Sequence, residues 1–290
     1  MASTLDLPLL DLSGDRDPAT ITNIQKALLR YGAIRLWAPS LKGAHFLELQ
    51  QNAREFFQLP VDVKAETKGY TGFDSELIRG DTPIPKESVY FFRASDLQGN
   101  PPPSSLRDSV IVVHETLPEL TYWHKKWKLM KDTIFSAISN DILDSSIPLT
   151  GTLQLDQESF GINFYDPKQL DNKIIEYNPP HMDTGTLVVL IRDDNAHDGL
   201  EIADLRSTDK LGSKEVGQEA TFVPVPANPD EVIVLVGTRL QRLLGRDKVR
   251  ACVHRVQGPS TDRRYMEEVR LSFTIACAAS PPPGTQPSSS

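Results

Sequence analysis

After Thr150 the chain consists of short apolar or alternating segments separated by turn residues, with a clear turn at Asn228-Pro229-Asp230. Frequent short segments of this kind are typical of a β-sandwich or barrel. We predict strands at 160–165, 186–191, 200–203, 221–225, 231–236, 251–256 and 269–277, and a polar surface insertion at 206–219.

The first half of the chain alternates helical and extended patterns. Apolar residues at three- and four-residue steps predict a helix that begins after Asp17, at Pro18, and ends before Gly32, and a second helix from about 40 to 56. Strands are predicted at 7–12, 33–37 and 88–92, the last inside a loop-rich stretch at 68–103. The steps from Leu120 to Ile138 predict a long amphipathic helix that braces the sheet.

Composition narrows the class of protein. The chain has 290 residues, of which 39% are hydrophobic and 24% charged, so it can bury a large core. A formal charge of -8 argues against nucleic acid as a partner, because a polyanion requires a concentrated basic surface. We find no secretory signal, no apolar run of membrane-spanning length and only two cysteines. We therefore expect a cytoplasmic protein that does not bind a membrane.

The first candidate for chemistry is the pair His181 and Asp183, which precedes the apolar run 186–191. On a strand the two side chains would share one face, with Cβ atoms roughly 6 to 7 Å apart. An imidazole and a carboxylate suit a divalent metal, and one distant histidine would complete the two-histidine, one-carboxylate set of non-haem iron oxygenases. Such pairs also arise by chance, so the assignment of a metal site depends on the order and context of the other motifs, including a third ligand.

Two later segments supply candidates for that context. His254 alternates with apolar neighbours in a strand-like stretch and is a possible third ligand, although a lone strand histidine is more often structural. In 269–277, Arg270 and Ser272 fall on the polar face of an alternating strand. A guanidinium facing into a barrel fits a carboxylate in two-point contact. The same Arg-x-Ser motif at Arg93 and Arg107 we interpret as surface ion pairs.

Taken together and in order, these motifs resemble the Fe(II)- and 2-oxoglutarate-dependent dioxygenases of the isopenicillin N synthase-like superfamily, over nearly the whole chain. The matching pieces are Leu7-Pro8-Leu9-Leu10-Asp11, Tyr31-Gly32-Ala33-Ile34, Phe56-Phe57-Gln58-Leu59-Pro60, Lys86-Glu87, Asn163-Phe164-Tyr165, His181-x-Asp183, Gly199-Leu200-Glu201-Ile202, Val223-Pro224-Val225-Pro226, His254-Arg255-Val256 and Arg270-x-Ser272.

The resemblance implies a mainly β fold with flanking helices around a double-stranded β-helix, or jelly roll. It implies an N-terminal segment at 1–115, a catalytic core at 116–279 that includes the bracing helix, and a disordered tail at 280–290. By the same resemblance, Fe(II) would be bound by His181, Asp183 and His254. 2-Oxoglutarate would meet Arg270, Ser272, Tyr165 and Asn163, and O2 would be the second cosubstrate.

The function implied is hydroxylation, desaturation or cyclisation of a small organic molecule, in specialised metabolism, by a monomeric enzyme. Three features depart from the family pattern. Arg270 lies 16 residues after His254 rather than about ten, with Arg264 nearer the usual spacing; Val236-Gly237-Thr238 replaces an Asn-x-Gly-Asp turn; and the 206–219 insertion is present. Open alternatives are an iron oxidase without 2-oxoglutarate, a non-catalytic jelly-roll binding protein and, less favoured by the ligand types, a zinc hydrolase.

Overall fold

A computed structural model describes residues 5, 7–11, 18–37, 44–67, 69–78, 82–92, 157–169, 176–192, 199–205, 220–226, 228, 230–258 and 269–278. The predicted helix at 120–138, the insertion at 206–219, the tail at 280–290 and residues Arg93, Arg107 and Arg264 lie outside these ranges. The domain boundaries remain a prediction.

Four helices occur in the described part of the chain: α1 (Pro18–Arg30), α2 (Ala44–Gln58), α3 (Val61–Ala65) and α4 (Thr238–Leu244). The strands of the N-terminal segment are β1 (Leu9–Asp11), β2 (Ala33–Trp37), β3 (Tyr70–Thr71), β4 (Leu77–Ile78), β5 (Thr82–Pro83) and β6 (Glu87–Phe92). Those that follow are β7 (Gln157–Tyr165), β8 (Glu176–His181), β9 (Leu187–Arg192), β10 (Leu200–Asp204), β11 (Thr221–Pro224), β12 (Glu231–Val236), β13 (His254–Gln257) and β14 (Arg270–Ala278). None of the described helices has the length and apolar character needed to cross a membrane.

The strands β7 to β14 form a jelly roll. β12, β9, β14 and β7 lie side by side in one sheet, and β11, β10, β13 and β8 in the other. The N-terminal strands extend the first sheet at both ends, giving the order β1-β2-β12-β9-β14-β7-β6-β3. The predicted mainly β fold with flanking helices and a jelly-roll core is therefore confirmed.

The larger sheet separates a polar inner face from an apolar outer one. On β14, Arg270, Ser272 and Thr274 alternate with apolar residues, as the period of two requires. Phe273, which is fully buried, packs edge-on against Phe46 of α2 with ring centroids 5.0 Å apart. Helix α2 thus covers the outer face, and the polar residues are left to face the interior of the jelly roll.

The predicted strand at 251–256 is wrong over its first three residues. The N–H of Cys252 donates to the carbonyl of Val236, whereas the carbonyl of Val253 accepts from the N–H of Ala203. Because consecutive residues bond to different elements, the segment forms no ladder before His254. Helix α3, helix α4 and strand β8 were not predicted.

Candidate active site

The structure brings His181, Asp183 and His254 together at one end of the smaller sheet. His181 ends β8 and His254 begins β13, and the two are paired in the antiparallel register. Asp183 lies in the connection between β8 and β9. Strand β8 ends at His181, so the prediction that both residues lie on one strand is wrong. The two side chains nevertheless lie on the same side of the chain, as predicted.

The ligand atoms of these three residues all lie within 4.8 Å of one another. Nε2 of His181 is 3.7 Å from Oδ1 of Asp183, and Nε2 of His254 is 3.8 Å from Oδ2 of the same carboxylate. The imidazole rings face each other across the strand pair, with centroids 4.1 Å apart. Two imidazoles and one carboxylate on one side of a small space are a suitable ligand set for ferrous iron.

The orientation of both imidazoles supports this fit. Nδ1 of His181 lies 2.8 Å from the carbonyl oxygen of Pro179, and Nδ1 of His254 lies 3.4 Å from the carbonyl oxygen of Cys252. A carbonyl only accepts, so Nδ1 carries the hydrogen in each ring and the lone pair is on Nε2. Both Nε2 atoms face Asp183, which is the arrangement that a shared metal ion requires.

The electrostatics of the site favour the metal-binding form of His181. Burial, with a further contribution from the neighbouring His254, lowers the pKa of His181 to about 4. Its imidazole is therefore neutral near pH 7 and keeps a lone pair for a metal ion.

The backbone that carries Asp183 is held by the start of helix α4. The N–H of Thr238 donates to the carbonyl of Asp183 at 2.8 Å, and the N–H of Gly237 donates to the carbonyl of Thr186 at 2.9 Å. A Cβ atom on Gly237 would lie 2.0 Å from the carbonyl oxygen of Gly185. Only glycine permits this approach, so the unusual Val236-Gly237-Thr238 sequence supports the loop of the carboxylate ligand.

The four residues predicted to meet 2-oxoglutarate also lie together. Arg270 pairs with Tyr165 and Ser272 with Asn163 in the register of β14 and β7. Arg270 is 3% exposed. Nδ2 of Asn163 donates to Oγ of Ser272 at 3.4 Å, and Ser272 also hydrogen-bonds Tyr165. Burial raises the pKa of Tyr165 to about 12, so its phenol stays neutral.

A glycine makes room for the guanidinium. Gly199 has a φ of +79°, and a Cβ atom there would lie 2.9 Å from Nη1 of Arg270 and 2.5 Å from the carbonyl oxygen of Gln257. That carbonyl accepts from Nη1 of Arg270 at 3.4 Å. Gly199, which stood in the sequence as part of a family motif, therefore has a direct steric role beside the anion site.

One cavity of about 340 Å³ contains both groups of residues. Its walls include the three metal-ligand candidates as well as Arg270, Ser272, Tyr165 and Asn163. A carboxylate-binding side and a metal-binding side that open into the same space can hold the two ends of one small dicarboxylate. The structure thus places every site residue named from the sequence in a single pocket.

Three charged residues of the cavity wall were not assigned a role from the sequence: Glu76, Lys86 and Arg192. Nη1 of Arg192 donates to the carbonyl of Val225 at 2.9 Å, and its other terminal nitrogen donates to the carbonyl of Pro226. Arg192 therefore ties β9 to the end of the opposite sheet. Lys86 could have been found from its alternation with Ser88 and Tyr90, which marks a polar face before and along β6.

Comparison with known proteins agrees with this arrangement. The model of the "2OG-Fe(II) oxygenase superfamily" matches residues 156–278, the span of β7 to β14. Flavanone 3-dioxygenase 2 of Oryza sativa subsp. japonica is 23% identical to this chain over 292 residues, covering 96% of the chain and 75% of the relative.

Solved structures share the fold of this chain over nearly its full length. The auxin-oxidising dioxygenase AtDAO1 of Arabidopsis thaliana, bound to 2-oxoglutarate, superposes with a TM-score of 0.68 at 18% identity, covering 97% of this chain and 98% of its own. A 2OG-Fe(II) oxygenase family protein from Caulobacter crescentus gives a TM-score of 0.71 at 19% identity and covers 96% and 88%. The N-terminal segment is therefore part of the shared fold.

Proposed function

We propose that this protein is a non-haem oxygenase that uses Fe(II), 2-oxoglutarate and O2 to oxidise a small organic molecule. The single observation that carries the proposal is the shared cavity, in which the candidate ligands His181, Asp183 and His254 lie opposite a buried carboxylate site built on Arg270. A metal site alone would suit several chemistries. Its combination with an arginine and a serine for a second anionic group favours a dicarboxylate cosubstrate.

The residues of the chain position the reactants. His181, Asp183 and His254 would hold an iron ion, and the cosubstrate and O2 would bind to it from the rest of the cavity. Arg270 and Ser272 would hold the far carboxylate of 2-oxoglutarate, with Tyr165 as a neutral donor and Asn163 beside them. When bound, the iron supplies the oxidising chemistry, coupled to decarboxylation of 2-oxoglutarate to succinate and carbon dioxide.

The substrate class follows from the size of the cavity and from related proteins. A space of about 340 Å³ that would also hold 2-oxoglutarate is of a size that suits a small molecule. The related rice protein is named for a flavanone, and AtDAO1 for auxin oxidation. We propose that this enzyme acts in specialised metabolism, with hydroxylation, desaturation or cyclisation as the outcome. A monomeric state and a cytoplasmic location stay predictions from the sequence.

An anaerobic titration tests the proposal. Adding 2-oxoglutarate to the Fe(II)-loaded protein should produce a visible metal-to-ligand charge-transfer band, because the 2-oxo acid would chelate the iron. Asp183→Ala should abolish iron binding and the band, whereas Asp62→Ala, which removes an exposed carboxylate from α3, should leave both unchanged. Bound iron without a band in the native protein would favour an oxidase that does not use 2-oxoglutarate. Full activity of Asp183→Ala would overturn the ligand assignment.

A further inference from the structure

Lys86 lies in the wall of the active-site cavity, and each of the three hydrogens of its ammonium group has an acceptor. The side chain is 4% exposed and directly precedes β6. Its Nζ lies 2.7 Å from Oδ1 of Asn163, 2.9 Å from Oε2 of Glu76 and 3.1 Å from the hydroxyl of Tyr90. An ammonium group has three donors and no acceptor, so these three oxygens use its full capacity.

The surroundings keep this ammonium charged. Burial by itself would lower the pKa of Lys86. The oxygen groups of Tyr165, Tyr90 and Glu76 more than offset that effect and raise the pKa above its ordinary value. Lys86 is therefore a donor, and only a donor, throughout the pH range in which the protein would work.

Lys86 fixes the orientation of the Asn163 amide, because its ammonium group can donate hydrogen bonds but cannot accept them. Oδ1 of Asn163 has to face Lys86, because the amide nitrogen cannot accept from an ammonium group. Oδ1 is 3.3 Å from the hydroxyl of Tyr90 as well. With the oxygen held on this side, Nδ2 faces Ser272 and donates to its Oγ at 3.4 Å. The serine oxygen thus accepts from Asn163, and its own hydrogen is available to Tyr165, its other partner, or to a bound carboxylate.

We propose that Lys86 is a positioning residue for the cosubstrate: through Asn163 it orients the hydroxyl of Ser272 so that this group donates to the far carboxylate of 2-oxoglutarate. The inference rests on the proposed function and extends it to a residue outside the Arg-x-Ser pair. Lys86 does not itself bind the carboxylate, since its three hydrogens already have acceptors. Lys86 acts on Ser272 through the side-chain amide of Asn163.

Lys64 offers a matched comparison. It is as buried as Lys86, at 2% exposed, and forms an ion pair with Glu87, the residue that follows Lys86 in the chain. Successive residues point to opposite faces, and Lys64 and Glu87 are absent from the cavity wall. A substitution at Lys64 therefore removes a buried ammonium group from the same region without touching the relay to Ser272.

The test compares two 2-oxo acids in Fe(II)-loaded protein without oxygen. 2-Oxoglutarate has the far carboxylate, whereas 2-oxobutyrate has the same chelating end and lacks it. In Lys86→Met we expect the affinity for 2-oxoglutarate to fall about ten-fold, the loss typical of one hydrogen bond to a charged group. The affinity for 2-oxobutyrate should change less than about two-fold by the same scale. Both are measured by titrating the charge-transfer band.

Two controls separate positioning from general destabilisation. Lys64→Met should bind both acids like the native protein. If that variant does not fold, Tyr70→Phe takes its place, because it removes one hydrogen bond to Glu87 on the same side. In an Asn163→Ala background, the Lys86→Met change should have little further effect on 2-oxoglutarate, since two residues that act through one contact are not additive.

The outcomes are distinct from those that test the function. If the native protein binds neither acid, the proposed function fails. If it binds 2-oxoglutarate and Lys86→Met binds it equally well, or loses both acids to the same extent, the positioning role is overturned. Additive losses in the Lys86→Met and Asn163→Ala double variant would also overturn it, because they would mean that Lys86 acts on the cosubstrate by another route.

Discussion

At the scale of single residues, Arg270 is a cation buried in the wall of the cavity. Its Nη1 donates to the carbonyl of Gln257, and its guanidinium lies 5.7 Å from the ring centre of Tyr177. These contacts orient the planar group in the cavity wall. A planar guanidinium in the cavity wall matches a carboxylate in two-point contact, so we expect the far carboxylate of 2-oxoglutarate at this place.

Arg270→Gln should therefore raise the 2-oxoglutarate concentration needed for half-maximal turnover by about 10- to 100-fold, because a charge-assisted two-point contact is lost. Iron affinity should not change, since none of the three candidate metal ligands lies on β14. Steady-state kinetics and iron titration would measure both. Arg264→Gln, at the alternative sequence spacing, is the control. A strong effect there and none at Arg270 would show that the anion site was assigned to the wrong arginine.

At the scale of elements, the loop that carries Asp183 packs against the start of helix α4 so closely that no side chain fits between them. Gly237 precedes α4 and lies against the carbonyls of Gly185 and Asp183, at 2.0 Å and 3.2 Å from where its Cβ atom would be. Its φ of -88° is ordinary, so the requirement is one of space and not of backbone conformation. The position of the carboxylate ligand thus depends on a neighbour 54 residues later in the chain.

Gly237→Ala should lower the free energy of unfolding by about 1–3 kcal/mol, because the added methyl forces the two backbones apart. It should also weaken iron binding, since Asp183 moves with its loop. Chemical denaturation and iron titration provide the two measurements. Gly72→Ala is the matched control, because a Cβ atom at Gly72 would meet its nearest neighbour, Ser75, at an ordinary 3.5 Å. Unchanged iron affinity in Gly237→Ala would argue against this support.

At the scale of the whole molecule, Glu87 attaches the N-terminal segment to the jelly roll. Its carboxylate receives Lys64 of α3, Tyr70 of β3 and, at 2.9 Å, Nε2 of Gln169 after β7. β6, which carries it, pairs with β7 along six residues. One carboxylate therefore links two N-terminal elements to the catalytic sheet, next to the cavity wall that Lys86 supplies.

Lys64→Met should destabilise the fold by about 3–5 kcal/mol, because it leaves the buried Glu87 charge without its cation. The double variant Lys64→Met/Glu87→Met should lose less than the sum of the two single variants, since both charges are then removed together. Denaturant unfolding of all four proteins measures the coupling. Strict additivity would mean that the ion pair does not connect the segment to the core.

Local sequence patterns predicted the bounds of a strand correctly where the strand forms one continuous ladder of backbone hydrogen bonds. β2 and β12 occur at the predicted 33–37 and 231–236, since their apolar runs pair with neighbours along their whole length. β8 was missed because Pro179 and Pro180 disfavour a strand. They are tolerated there because β8 is an edge of its sheet, where proline removes no needed ladder bond.

The residues of the site could be predicted from the sequence, but their arrangement in space could not. The six polar or charged candidates and Tyr165 could be named from motif order, but the convergence of His181, Asp183 and His254 depends on the pairing of β8 with β13. Lys86 and Asn163 are 77 residues apart, and their contact depends on the antiparallel register of β6 with β7. No pattern in a single sequence fixes that register, so the relay to Ser272 becomes visible only in three dimensions.

The position of β14 has a consequence for synthesis of the chain. This strand lies between β9 and β7 in the larger sheet, yet it is the last strand of the described chain to leave the ribosome. Until it emerges, β7 and β9 each expose an edge of unpaired backbone groups, which is a template for association with other chains. Arg270 and Ser272 arrive on the same strand. The nascent protein therefore closes its sheet and gains its cosubstrate-binding residues in one late step.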